Sequence, residues 1–467
     1  MPTTTQRLPD APPAGVAGLS SLALASATRA LRVIAVLVLL AAVVAGGAAL
    51  RAHRAAHPAQ PNSADERAYL TLARDLATTG NYGGPGTAMN DPLHWPPGAP
   101  ALFAAAEKVD PGGPGGPGDL APPSVYTAQA IVGTLAILAA FAAAALLGGG
   151  VAGLVAAAAT AFYPPLVDVA GRALSEPLGA LGLAIAVLAC VWAARRPAEW
   201  RFALAGLALG LTLLARADLA PAVPLVALWA VAVARRPRGW RRAAMCGAAL
   251  LAGTVVAVAP WVRSASDRAG RLVPISTSGG SAIFVGTYLP GHGTMFGLKR
   301  SLGNELRLQD PRMGSVPNFR LPQERILDLV AGRHPDLDRD AALRREAREN
   351  LDRYALRRPL PFARMLGTKA ARMWVTPNRG PHARVGAVSL TVHLLLVGLA
   401  LVGTILAVVR VRRPGPGALL AVAASSTAIN AVFLSEPRHL LPLLPALFAT
   451  GAAGWALLAR RARSAGF

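Results

Sequence analysis

Asp65 and Glu66 open the stretch SADERAYLTLARDLATTGNY at 63–82, and Arg172 and Glu176 stand four apart in FYPPLVDVAGRALSEPLGAL at 162–181. Arg216 with Asp218, in LLARADLAP, and Arg438 with His439, in LSEPRHLLP, repeat the pairing of a guanidinium with a second polar group. A positioned carboxylate takes a proton from an attacking hydroxyl. Guanidinium groups hold a phosphate or pyrophosphate through charge-assisted forks. Together these groups would transfer something off a phosphorylated donor. Each residue also has a plainer reading. Ser63 and Glu66 have capping-box spacing, so a helix starts there with Asp65 in its first turn, where a carboxylate favours the helix dipole, and with Tyr69, Leu72 and Leu76 along one face. Glu66 reads as a capping residue more than as a base. Arg172 and Glu176 have the spacing of a helical ion pair.

The elements that carry these residues are apolar runs. The chain of 467 residues is 53% hydrophobic and 15% charged, with a mean hydropathy of +0.43, too apolar for an ordinary soluble enzyme. It reads as an all-α polytopic membrane protein. Runs cover residues 33–50, 124–147, 149–163, 177–194, 202–216, 219–234, 243–262, 385–409, 415–434 and 440–459, which makes about ten spans, several shorter than the ~20 residues a perpendicular helix needs. Arg29 and Arg32 before the first run also fit a signal peptide, but the many later spans favour a retained helix. Residues 1–28, polar and rich in Pro, Ser and Thr, read as a disordered cytoplasmic tail.

Charge sets the orientation. Arg195, Arg196 and Arg201 follow the fourth span, and Arg235, Arg236, Arg238, Arg241 and Arg242 follow the sixth. Arg410, Arg412 and Arg413 follow the eighth, and Arg460, Arg461 and Arg463 the tenth. Loops rich in Arg stay inside, so both termini are expected in the cytoplasm. The opposite loops carry single arginines, Arg172, Arg216 and Arg438, which snorkel to the interface or bind an anion. Glu176, followed by Pro177 at a helix start, lies at the membrane boundary, where a charge is costly and more often functional. Asp168 reads as a solvated loop residue. The net charge of +23 is spread over span ends rather than gathered in a basic stripe with interleaved aromatics, so membrane lipids or a lipid-linked phosphate are the expected partners and nucleic acid is not.

The expected organisation is an N-terminal transmembrane region at 29–262 with a first outer loop at 51–123, an extracytoplasmic segment at 263–384 and a C-terminal transmembrane region at 385–467. PGGPGGPGD at 111–119 reads as flexible linker. HWPPGAP at 94–100 is a rigid turn whose prolines exclude helix until about residue 100. His94 and Trp95 there line a sugar pocket or anchor the chain at the interface. Residues 338–375 have helical spacing and are expected to lie on or above the membrane, whereas VPISTSGGSAIFVGTYLPG at 273–291 reads as strand and turn, giving a small mixed α/β outer segment. Cys190 and Cys246 lie inside apolar runs, and no metal, Walker or dinucleotide motif stands out.

The succession DERAYLTLARDL, WPPGAP, GRALSEPL, LLARADLAPAVPL and EPRHLLPLLP resembles the polytopic GT-C glycosyltransferases. The branch is that of protein mannosyltransferases and lipid A aminoarabinose transferases, glycosyltransferase family 39-like, and the resemblance covers most of residues 30 to 460. It implies a GT-C-like helical bundle that takes a sugar from a polyprenyl-phosphate donor. The sugar would pass, with inversion, to a glycan, lipid or protein acceptor on the extracytoplasmic face, with no cofactor. Asp65 matches the catalytic base of such families, and Glu176 matches a second acidic residue. Arg216 and Arg438, with Arg172 a weaker match, correspond to the arginines that hold the donor phosphate. Glu66, Tyr69, His94, Trp95, Tyr163 and His439 are the candidates for the substrate pocket. Two other classes compete. A transporter or lipid flippase would bury charged or broken-helix sites near the midplane, often in inverted repeats, whereas mid-span positions here are Ala, Leu, Val and Gly. A noncatalytic relative serving in assembly would bind no donor.

Overall fold

The computed structural model describes residues 14–61, 63–83, 91–109, 121–377 and 386–464, with side chains from residue 26 onward. Backbone polar groups in lipid must be paired within their own segment, so the apolar runs fold as helices. In chain order these are α1 (Ala14–Ala56), α2 (Ala64–Thr79), α3 (Gly98–Val109), α4 (Pro123–Gly148), α5 (Gly150–Phe162), α6 (Pro164–Asp168), α7 (Glu176–Arg195), α8 (Glu199–Ala215) and α9 (Ala222–Ala269). The second half comprises α10 (Gly279–Thr287), α11 (Met295–Gln309), α12 (Gln323–Ala331), α13 (Arg339–Asn350), α14 (Pro359–Val375), α15 (Ala387–Val409), α16 (Gly417–Val432) and α17 (Leu444–Ser464). No strand occurs among the described residues.

The chain is a multi-pass membrane protein. Among the described residues, six helical segments are long and apolar enough to cross a bilayer, and α5 with α6 makes a seventh if counted as one span bent by 59°. Pro164 and Pro165 cause that bend, since neither offers an amide proton to continue α5. The remaining expected spans are present as helices of other kinds. Helix α9 is 48 residues long but turns back at Gly239, whose φ of 77° only glycine adopts without strain, so it covers two apolar runs. Helices α8 and α16, of 17 and 16 residues, are short. The uncharged turn at Gly148–Gly150 is a true reversal: Gly149 has a φ of 85°, and Arg460 donates to the Gly148 carbonyl at 2.5 Å.

Three expectations change. Helix α1 begins at Ala14, inside the segment read as a tail, and residues 1–13 lie outside the described residues, as does the linker at 111–119. The stretch at 273–291 forms no strand: α10 occupies its centre, and the Gly280 amide donates to Asp340 Oδ1 at 2.7 Å. A short apolar run is ambiguous in sequence, and a cap supplied by a residue sixty positions away decided it. Helix α3 starts at Gly98, because Pro100 sits in the first turn, where the missing amide has no intrahelical partner to lose. Residues 338–375 are helical as expected, as α13, a π-helical turn at Leu351–Leu356, and α14.

Close packing of small residues sets the bundle. A Cβ on Gly206 of α8 would lie 1.9 Å from the Leu250 carbonyl oxygen, and one on Gly253 of α9 would lie 2.0 Å from that of Ala203, so these backbones touch. Arg51, only 1% exposed near the end of α1, donates to the carbonyls of Gly47 at 3.1 Å, Ala161 at 3.0 Å and Thr160 at 2.9 Å. The last carbonyls of α5 are orphaned by the proline break, and Arg51 satisfies them. Arg51→Met is expected to destabilise the protein, at roughly 1–3 kcal/mol for each buried carbonyl left unpaired. Thermal unfolding in detergent measures this, and an unchanged midpoint would refute the stapling role.

Contacts sort the turns into two ends. Arg461 donates to the Arg410 carbonyl at 2.6 Å, Trp229 donates to that of Pro414 at 2.8 Å, and Arg238 pairs with Glu199 at 3.4 Å. The Arg-rich turns therefore share one end of the bundle. The turns that carry Glu176, Arg216 and Arg438 meet α2 at the other.

Candidate active site

Helix α2 is set by its sequence. The Ser63 hydroxyl accepts from the Glu66 amide at 3.2 Å, and Glu66 Oε2 accepts from the Ser63 amide at 3.1 Å, the capping box read from the spacing. Glu66 is buried and takes a second load: Arg172 donates Nε to its Oε1 at 3.1 Å and NH2 to its Oε2 at 2.8 Å. This fork fastens the start of α2 to the turn before α7. Gln129 of α4 donates to the carbonyls of Arg172 at 2.9 Å and Leu174 at 2.6 Å and holds that turn against the bundle. Arg172 and Glu66, expected as a phosphate ligand and a pocket residue, are thus each other's partners, and Glu176 is gripped from other directions.

Anchoring α2 this way places Asp65 in the cluster. Arg438 NH2 donates to Asp65 Oδ2, and Trp95 Nε1 donates to Asp65 Oδ1 at 3.1 Å. Arg438 Nε also pairs with Glu436, and lies 3.6 Å from Glu176 Oε1. Glu176 Oε1 is reached at 3.3 Å by Arg216 NH1, whose Nε and NH2 fork Asp218 at 2.9 and 2.8 Å. The chain of charges runs Asp65, Arg438, Glu176, Arg216, Asp218, and it brings together residues from four separate stretches of sequence. Gly179 leaves room for Arg216, since a Cβ there would lie 2.6 Å from Arg216 Cγ.

Electrostatics follow from this arrangement. Burial opposes ionisation of Asp65, but the Arg438 guanidinium and the hydrogen bonds from Trp95 and Arg438 outweigh it and hold the carboxyl down at about 2. Asp218 is lowered likewise, with burial opposed by Arg216. Glu176 is 1% exposed at the first residue of α7, and its Oε2 has no hydrogen-bond partner among the described residues. Burial, and then the Asp65 charge, raise the Tyr69 phenol, which stays protonated and donates to Ser175 Oγ at 3.4 Å. Four carboxylates face two guanidiniums, and further positive charge comes from Arg67 of α2 and from Lys299 of α11. Lys299 feels both Arg67 and Glu436, which brings α11 within electrostatic reach of the cluster.

Sequence reasoning passed over Glu436, Lys299, Asn430 and Ser175. Glu436 lay in the quoted LSEPRHLLP, and its position two residues from Arg438 was the available signal. His439 stands beside the cluster, with Nδ1 2.7 Å from Asn430 Oδ1. The His94 ring meets that of Trp95 at a tilt of 56° with 4.5 Å between centroids, and burial lowers its pKa. Tyr163 is elsewhere: its hydroxyl is bonded to His393 Nδ1, and its ring meets Phe448 edge-on at 5.9 Å. It lines a cavity of about 440 Å³ with Pro164, Pro165, Val388 and Val392. A second cavity of about 700 Å³, lined by Tyr82, Trp261 and Arg268, also lies apart from the cluster. Asp168 pairs with Arg54 at 3.0 Å, both partly exposed. Although no metal motif stood out in sequence, His334, Glu346 and Glu349 bring ligand atoms within 4.8 Å of one another. Their carboxylates are already paired with Arg333 and Arg345.

The fold is similar to that of a solved membrane oligosaccharyltransferase. Archaeal oligosaccharyltransferase AglB from Archaeoglobus fulgidus, solved in complex with an inhibitory peptide and a dolichol-phosphate, is similar over 92% of this chain with a TM-score of 0.51 and 14% identity. ArnT from Cupriavidus metallidurans, bound to undecaprenyl phosphate, aligns over 91% of this chain and 78% of its own with a TM-score of 0.42 and 16% identity. This chain spans about half of AglB, 52% of its length. No protein-family profile and no curated protein matches the sequence.

Proposed function

We propose that this protein is a membrane glycosyltransferase that takes a sugar from a polyprenyl-phosphate donor and passes it, with inversion, to a hydroxyl of a glycan, lipid or protein acceptor. The observation that carries the reading is the shared guanidinium: Arg438 touches both Asp65 and Glu176, with Arg216 on the far side of Glu176. Asp65 accepts the acceptor's proton as its oxygen bonds to the anomeric carbon. The bond from that carbon to the phosphate oxygen breaks, and the polyprenyl phosphate leaves with the electron pair. Protonation of Asp65 removes one counter-charge from Arg438 as negative charge builds on the departing phosphate, so the guanidinium binds the transition state more tightly than the ground state. Arg216 supplies the second positive charge, and Glu176 orients the two arginines.

Orientation belongs to the same reading. The Arg-rich end faces the cytoplasm together with both termini, and the cluster faces outward, where ATP and nucleotide sugars are absent and an activated lipid carries the sugar. Mass spectrometry of lipid phosphates that co-purify with the protein tests this, with a polyprenyl-phosphate sugar as the expected species. A preparation that neither retains such a lipid nor turns one over would end the proposal.

A further inference from the structure

Asn430 lies in α16, 1% exposed, and touches two groups whose hydrogen-bonding capacities leave it no choice of orientation. Its Nδ2 is 3.0 Å from the Ser426 carbonyl oxygen, which only accepts, so the amide nitrogen is on that side. Its Oδ1 then faces His439 Nδ1 at 2.7 Å. That oxygen also only accepts, so Nδ1 must carry a proton. In a neutral imidazole this leaves Nε2 with the lone pair. Nε2 makes no hydrogen bond among the described residues, the ring is partly exposed, and Arg216, Asp218, Glu436 and Arg438 all act on it electrostatically. The donors that act on it, the guanidiniums of Arg216 and Arg438, are paired with carboxylates.

We propose that Asn430 is a positioning residue that locks the His439 tautomer, and that Nε2 accepts a hydrogen bond from a hydroxyl of the donor's sugar ring. The sugar part rests on the glycosyl-transfer reading; the tautomer part does not. Guanidiniums recognise phosphate by donating, but a sugar hydroxyl that is to be distinguished from a deoxygenated carbon needs a fixed acceptor. His439 is an uncommitted neutral acceptor beside the cluster, and its loss is expected to weaken binding of the lipid-linked sugar by about tenfold.

Nitrogen NMR of the full-length protein in lipid nanodiscs, labelled with 15N-histidine and assigned by the signal lost in His439→Gln, tests both parts. The expected wild-type spectrum has a protonated Nδ1 and an unprotonated Nε2 at His439. Asn430→Leu should lose this preference, and Asn430→Asp, which keeps an acceptor facing Nδ1, should retain it. Polyprenyl-phosphate mannose, glucose or arabinose should shift the Nε2 signal, whereas bare polyprenyl phosphate should not. A protonated Nε2 in the wild type, or a tautomer unaffected by Asn430→Leu, overturns the lock. A correct tautomer that none of these sugars perturbs overturns the assigned ligand. A protein that shows the Asn430-dependent tautomer yet binds no lipid-linked sugar supports the lock and removes the glycosyl-transfer reading beneath the second part.

Discussion

Replacing Asp65 with Asn is expected to reduce sugar transfer from a polyprenyl-phosphate donor by roughly 100- to 10,000-fold, the range contributed by a positioned general base, while the protein remains folded. Asn Oδ1 still accepts from Trp95 Nε1, which lies 3.1 Å from Asp65 Oδ1, and Arg438 keeps Glu436 and Glu176 as counter-charges. The substitution therefore removes the proton acceptor together with the Asp65–Arg438 pair, because the new amide nitrogen donates where the carboxylate oxygen accepted, and it leaves the rest of the ion chain in place. Turnover of labelled donor by purified wild-type and variant protein measures the effect, with size-exclusion elution as the folding check. Wild-type turnover in Asp65→Asn would exclude the assigned role.

Arg438→Ala is expected to lower the rate by roughly 100- to 1,000-fold, as when a preorganised donor to a developing oxyanion is removed, and also to move the pH profile. The Asp65 carboxyl is held at about 2 by Arg438 and Trp95 against the opposing effect of burial. Because this folded value lies below the unfolded value of about 4, the pairing contributes stability fully above about pH 4 and loses it as pH falls through about 2. Wild-type activity should thus show no acid limb from Asp65 in the mildly acidic range. Without Arg438, burial prevails and the carboxyl rises, so an acid limb should appear and move toward neutrality. Arg438→Lys keeps the charge without the fork, and should retain the wild-type pH profile while losing part of the rate. Identical acid limbs in wild type and Arg438→Ala would show that Asp65 does not titrate in the rate-limiting step.

Some of this was legible in local sequence because the responsible forces are local. Hydropathy over about twenty residues dictates a helix in lipid, and the runs read from sequence are helical. The capping box at Ser63 and Glu66 depends on three residues of spacing and was visible as such. Gathering Arg195, Arg410 and Arg460 with their neighbours at alternate span ends follows from the parity of crossings, and the contacts of Arg461 with Arg410 and of Arg460 with Gly148 place those turns together.

Partner choice was not local. Spacing offered Arg172 to Glu176 as a helical pair, but α7 begins at Glu176, so Arg172 precedes the helix and reaches Glu66 106 positions away. Asp65 meets Arg438 across 373 residues, and Tyr163, a tyrosine beside a proline pair like many at membrane boundaries, pairs with His393 instead of joining the cluster. Side-chain charge and hydropathy are properties of a residue and are written in the sequence. Which carboxylate a guanidinium neutralises depends on how helices cross, set here by backbone contacts at Gly206 and Gly253 and by the room left at Gly179, distances that exist only once the bundle has packed.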